Sequence, residues 1–204
     1  MRDGVPVAPF ASVIDISFDI TDNDGVTFPA NPFVIDDIAF PAGNSEQRWG
    51  RLKVDNAFGS ELIDLAAPLH GEFYKGATFV MNTDDDCPML SLATEVDVSN
   101  PASGTRNGGQ SMIIGAGTTS VTSGDPSLAN GVDSMIFSAL VTGNTGSVDM
   151  LVDVVAGSKY WLQYDWDGDG NHDNDPTGRV SFGLFTRRAT HIHCRAGVSS
   201  IRQG

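Results

Sequence analysis

Five aspartates stand at 165, 167, 169, 173 and 175, in the run DWDGDGNHDNDP at 165–176. Carboxylates at alternating positions of a tightly turning backbone put hard oxygen ligands on one side, which is the chemistry of a calcium loop. Counted from Asp165, positions 1, 3 and 5 are Asp165, Asp167 and Asp169. Gly170 takes position 6, where a sharp turn is needed, Asn171 offers a backbone carbonyl at position 7, and Asp173 falls at position 9. Position 12, the usual bidentate acid, is Pro176, and Asp175 one place earlier is its substitute. The flanks read as strands, so the expectation is a calcium loop in a β context, with Asp165, Asp167, Asp169, Asn171, Asp173 and Asp175 as ligands. Magnesium fits less well, because it demands a stricter octahedron and keeps its waters. The plain alternative is a solvated Asp/Gly-rich turn between two strands.

Two aromatic residues border these acids. Trp166 lies between two of the predicted ligands and Tyr164 just before them. A sugar ring stacked on either is the second chemistry the run permits. Of the three tryptophans, Trp166 is expected to be exposed, and Trp49 and Trp161 to be core.

Other polar clusters are weaker. Asp22, Asp24 and Gly25 form a turn signature, and Asp84, Asp85 and Asp86 follow Asn82 in a second acidic stretch. Either can lend an oxygen to a shared site, but each reads first as a turn. His191, His193 and Cys194 present two imidazoles and a thiol, an incomplete zinc set whose alternative is a structural tail. No GxSxG, HExxH, GxxxxGK[ST] or strand-following GxGxxG is present, and no spacing selects a glycosidase pair. The expectation is a structural module, not an enzyme.

The elements that must hold the acidic run are strands. The 204 residues carry 23 Gly and 10 Pro, the turn chemistry of all-β folds. Ile14, Ile16, Phe18 and Ile20 alternate with polar residues, which predicts a strand with one buried face. Val148, Met150, Val152 and Val154 do the same within 147–155. Shorter strands are expected at 48–55, 70–74, 79–82, 160–164 and 179–185, and no segment shows a helical period. The prediction is a β-sandwich of short antiparallel strands with long Gly/Ser/Asp-rich loops, in one domain over 1–185. Residues 100–133 are rich in Gly, Ser and Thr. They read as a long surface loop, with a pair of polar edge strands as the alternative.

Acids outnumber Lys and Arg by 26 to 12, a net charge of −14 that repels nucleic acid and anionic membranes. No apolar stretch reaches the ~18 residues of a membrane-spanning helix. The first residues lack the basic-then-apolar pattern of a signal peptide, so export implies a longer precursor. Cys87 and Cys194 are the only cysteines, and their spacing does not decide whether they pair.

Several stretches together resemble the C-terminal domain of MshQ-like proteins, linked to biogenesis of the mannose-sensitive haemagglutinin type IV pilus. They are RWGRLKVDNAFGSEL at 48–62, PLHGEFY at 68–74, FVMNTDDDC at 79–87, GNTGSVD at 143–149, WLQYDWDGDGN at 161–171 and VSFGLF at 180–185. The likeness runs from about residue 9 to 185. It implies an exported bacterial surface protein, partnered by the rest of a longer precursor or by pilus and surface proteins, in a domain without an assigned activity. It also implies that Cys87 pairs with a cysteine further upstream and not with Cys194. The tail at 186–204 turns basic and leaves the family pattern, as a divergent end or a shifted reading frame would. The resulting expectation is a calcium-stabilised, non-catalytic module, with a calcium-assisted carbohydrate-binding (adhesin) module as the alternative.

Overall fold

The structure is a computed structural model that describes residues 4–27, 29–40, 46–101, 105–106 and 109–183, with the side chains of 105 and 106 left aside. The chain begins with β1 (Phe10–Ala11), followed by a hairpin of β2 (Val13–Phe18) and β3 (Phe33–Ala39), and β4 (Glu46–Gln47), which pairs with β1. Next come β5 (Gly50–Val54), β6 (Ala57–Gly59), β7 (Leu65–Tyr74) and β8 (Phe79–Met81). A single helical turn, α1 (Leu92–Glu95), leads into β9 (Val96–Asn100), β10 (Thr105–Arg106), β11 (Ser111–Ile114) and β12 (Gly117–Ser120). The last three strands are β13 (Val132–Phe137), β14 (Gly146–Val152) and β15 (Thr177–Phe182).

Two sheets enclose one core, so the fold is all-β and sandwich-like. The first has the order β13-β7-β5, with β8 also on β7; the second has the order β10-β9-β14-β15-β6. Pairing is antiparallel except for β15 with β6. Period-two alternation builds the core: Leu52, Leu69, Met135 and Phe137 of the first sheet meet Val98, Val148, Met150, Val152, Val180 and Phe182 of the second, all 1% exposed or less. Burying each such side chain contributes roughly 1.5–3 kcal/mol. Gly178 lets the sheets approach, because a Cβ there would stand 2.6 Å from Val54 Cγ1.

Pro68 explains how the chain changes sheets. Asp55 N–H donates to the Pro68 carbonyl at 2.9 Å, but Pro68 has no N–H to return. The ladder between β5 and β7 stops there, and two residues later the chain runs as β6 in the opposite sheet.

Four expectations need correction. Residues 160–164 are not a strand: Tyr160–Leu162 form a 3₁₀ turn, closed by Leu162 N–H on the Lys159 carbonyl at 2.8 Å. Trp161 on this turn is 52% exposed, not core, whereas Trp49 is buried as expected. The apolar face of β2 is paired with β3, Ile14 with Ile38, Ile16 with Ile35 and Phe18 with Phe33, but it is not buried among the described residues. The hairpin is a two-stranded sheet of its own, and among the described residues its alternating pattern meets no second layer. The segment 100–133, read first as a loop, contains the β11–β12 hairpin, and its Met112, Ile114 and Leu128 enter the core. Residues 184 and 185, expected to extend β15, lie outside the described residues.

Candidate metal centre

The acidic run leaves the sandwich between the 3₁₀ turn and β15. Its base is closed by a two-way backbone bridge between Tyr164 and Asn174, both hydrogen bonds 3.1 Å long. Gln163 spans the same base: its buried side chain donates to the Asp173 carbonyl at 2.7 Å and to Asp175 Oδ1 at 3.2 Å. Asn174 Oδ1 accepts the Trp166 N–H at 3.0 Å. Above this base the backbone folds over its own carboxylates. Asp165 accepts N–H groups from Gly168 at 2.7 Å and Gly170 at 3.1 Å. Both glycines lie in the left-handed region, φ 78° and 90°, where a side chain would be strained.

This folding draws Asp165, Asp167 and Asp169 together, so that one carboxylate oxygen from each lies within 4.8 Å of the others. Two oxygens sharing a calcium ion at about 2.4 Å each can be no more than about 4.8 Å apart, a limit that all three pairs meet. Asp173 and Asp175 are not in the cluster; their carbonyl and carboxylate serve Gln163. The Asn171 side chain is tied to Asp169 Oδ2 at 3.0 Å. The Asn171 backbone N–H, then its side-chain amide, hold the Asp169 carboxyl below the usual carboxylate range, against a small opposing effect of burial. Asp169 is therefore charged at neutral pH.

What seats the loop on the sandwich has no local sequence signal. Trp49 meets His172 edge-to-face at 4.7 Å and Tyr164 at 5.9 Å. Tyr164 also contacts Phe79 at 5.1 Å and Trp166 at 5.1 Å. Arg51 lies beneath, its guanidinium carbon 3.6 Å from the Phe79 ring centre, 4.6 Å from Tyr164 and 4.9 Å from Trp166, while Glu72 holds its Nη2 at 2.6 Å. Trp49, just before β5, and Arg51 within it alternate with the inward Leu52 and Val54, which places the acidic loop on the outside of the first sheet. Sequence reasoning missed His172 and Arg51. Their only local trace is that Arg51 belongs to the 48–62 phrase and His172 interrupts the run of acids.

The remaining candidates are dispersed. Asp22 Oδ1 accepts N–H groups from Asp24 and Val26, a closed turn. Asp84 pairs with Arg48 at 2.8 Å, and Asp86 accepts the Asn130 N–H at 2.7 Å, so that acidic stretch stitches loops together. Cys87 is exposed. His191, His193 and Cys194 lie outside the described residues.

The family model for DUF6701, fourth domain, matches residues 48–195, well over half of the chain. The chain belongs to the DUF6701 family. Comparison with curated proteins and with solved structures gives no match. The DUF6701 match opens at Arg48, so the β2–β3 hairpin precedes it, and it takes in both the sandwich and the acidic loop. Among the described residues of this DUF6701 chain, no helix is long and apolar enough to cross a membrane.

Proposed function

We propose that this chain is a non-catalytic structural module of a bacterial surface or pilus-associated protein, fastened by calcium in the 165–175 loop. The observation that carries this reading is the convergence of Asp165, Asp167 and Asp169 oxygens within 4.8 Å. Three carboxylates so close repel one another, by about 1 kcal/mol per pair at 4 Å even in water. A divalent cation reverses the sign of that term and fixes the connection into β15. The donors are all hard oxygens, the set that calcium prefers. Asp173, Asp175 and Asn171 are further ligands only if the loop rearranges around the ion. The surface and pilus setting is supported by the likeness to MshQ-like proteins and by the acidic composition.

A sugar stacked on Trp166 or Tyr164 is the weaker reading. Tyr164 is half-buried among Trp49, Phe79 and His172, and Trp166 is 38% exposed with Arg51 beside its ring. Calorimetric titration with calcium and with magnesium tests the proposal. It expects one calcium site that Asp167→Asn weakens by about tenfold or more. A flat calcium titration of the intact chain sinks it.

A further inference from the structure

An open cleft of about 780 Å³ is lined by Trp49 and Arg51, whose side chains also touch His172 and Trp166 of the acidic loop. It is separate from the three aspartates. Its wall carries Trp161, 52% exposed on the 3₁₀ turn that packs against β5. Most of the remaining lining is polar. Arg48 donates to Glu46 at 3.1 Å, to Asn82 at 2.6 Å and to Asp84 at 2.8 Å, and Arg51 is held by Glu72. The Asp84 side chain is 71% exposed.

Four carboxylates face two guanidiniums in this cleft, and each is already engaged: Arg48 holds Glu46 and Asp84, Arg51 holds Glu72, and Asp85 accepts from Asn82 Nδ2 at 3.3 Å and the Cys87 N–H at 3.3 Å. An anion meets an excess of carboxylates, and a cationic peptide must compete with Arg48 and Arg51 for three of the four. A neutral ligand rich in hydroxyls needs neither displacement. Carboxylate oxygens keep spare lone pairs when they accept one bond, and a guanidinium has five N–H groups. Hydroxyls that both donate and accept can use these alongside the Asn82 amide. The exposed indole supplies an apolar plate for the C–H face of a pyranose ring, and an aromatic side chain with a few directed polar groups is the usual make-up of a small-ligand site. The volume lies within the range of such sites, about 300–1,000 Å³.

We infer that the cleft between Trp161 and Arg48–Asp84 is a binding site for an uncharged oligosaccharide. This inference does not rest on calcium in the 165–175 loop.

The test is an array of immobilised neutral and sialylated oligosaccharides probed with the intact chain, in calcium and again in chelator. Any hit is followed by titration of Trp161→Ala, Asp84→Asn and Trp166→Ala. Trp161 is exposed and the Asp84–Arg48 pair is a surface one, so both variants should melt within about 3 °C of wild type, which is checked first. The expected result is a neutral glycan whose affinity falls about tenfold or more in Trp161→Ala and Asp84→Asn but not in Trp166→Ala. An array with no hit, a hit unchanged by both cleft variants, or binding only to sialylated glycans overturns the inference. So does a lysine-rich peptide that binds in place of a glycan and is lost with Asp84→Asn.

Discussion

The rings of Trp49 and His172 stand 4.7 Å apart at 84°, joining the start of the matched domain to the middle of its acidic loop. Trp49 is buried against the first sheet, so this contact anchors the middle of the loop, while Tyr164 and Trp166 seat its start on Phe79 and Arg51. His172→Ala removes the edge-to-face contact with both Trp49 and Tyr164. Urea unfolding should show a loss of about 1–2 kcal/mol, from ring packing beyond simple area burial. His172→Phe should recover most of it, because the contact is one of shape and ring quadrupole.

The converging aspartates lead to an opposite effect in the two ion states. Asp167→Asn removes one charge from a repelling trio while keeping an oxygen to accept the Asp169 N–H. In chelator this variant should melt at or slightly above the wild-type temperature. In calcium it should melt below it. If the order of the two proteins is the same in both conditions, repulsion and ion binding are not the forces that shape this loop.

Among the described residues, one charged side chain is buried, and it is used structurally. Glu95, 2% exposed, accepts from Lys159 Nζ at 2.5 Å and from the Ser91 N–H at 2.5 Å. Gly157 closes over them: a Cβ there would fall 1.4 Å from Glu95 Oε1. Glu95→Ala leaves the Lys159 ammonium without its carboxylate and should cost on the order of 3 kcal/mol. Gly157→Ala must push the pair apart and should lower the melting temperature by a similar amount, read by differential scanning calorimetry.

Acid stability should depend on Asp55. Partial burial pushes its carboxyl up, but hydrogen bonding and charge from Lys53, then the His70 ring, outweigh this and hold it below the usual range. A depressed carboxyl stabilises the fold above its unfolded pKa of about 3.9, and that stability is lost as pH falls through the lower folded value. Asp169 acts in the same direction. The urea midpoint should therefore drop below about pH 4, and Asp55→Asn should make that drop shallower.

The sequence speaks clearly where a side-chain pattern and its burial are the same fact. Val148, Met150, Val152 and Val154 alternate and are all 1% exposed or less. It misleads where composition imitates a strand: Tyr160, Trp161 and Leu162 have β-prone side chains, yet Lys159 N–H bonds to Val154 at 2.7 Å and turns the chain. It is silent where a polar residue enters the core. Thr119, 1% exposed, does so because its hydroxyl donates to the Ser138 carbonyl at 2.7 Å, and nothing in a Gly/Ser/Thr-rich stretch foretells that partner. The β2–β3 hairpin shows the same limit from the other side. A period of two specifies an apolar face, but not what covers it. For the acidic run, the spacing of Asp165, Asp167 and Asp169 was legible because ligands two residues apart are local. The aromatic seat beneath it was not, since Trp49 and His172 meet only through the fold.

Thermal unfolding in calcium and then in chelator tests the central claim most directly. With free calcium at a hundred times its dissociation constant, a site present only in the folded state adds about 2.7 kcal/mol. For a domain of this size that is a rise of roughly 5–10 °C, reversed by chelator and absent in Asp165→Asn/Asp167→Asn. A midpoint that stays the same with calcium, with chelator and in the double variant contradicts a calcium-fastened loop.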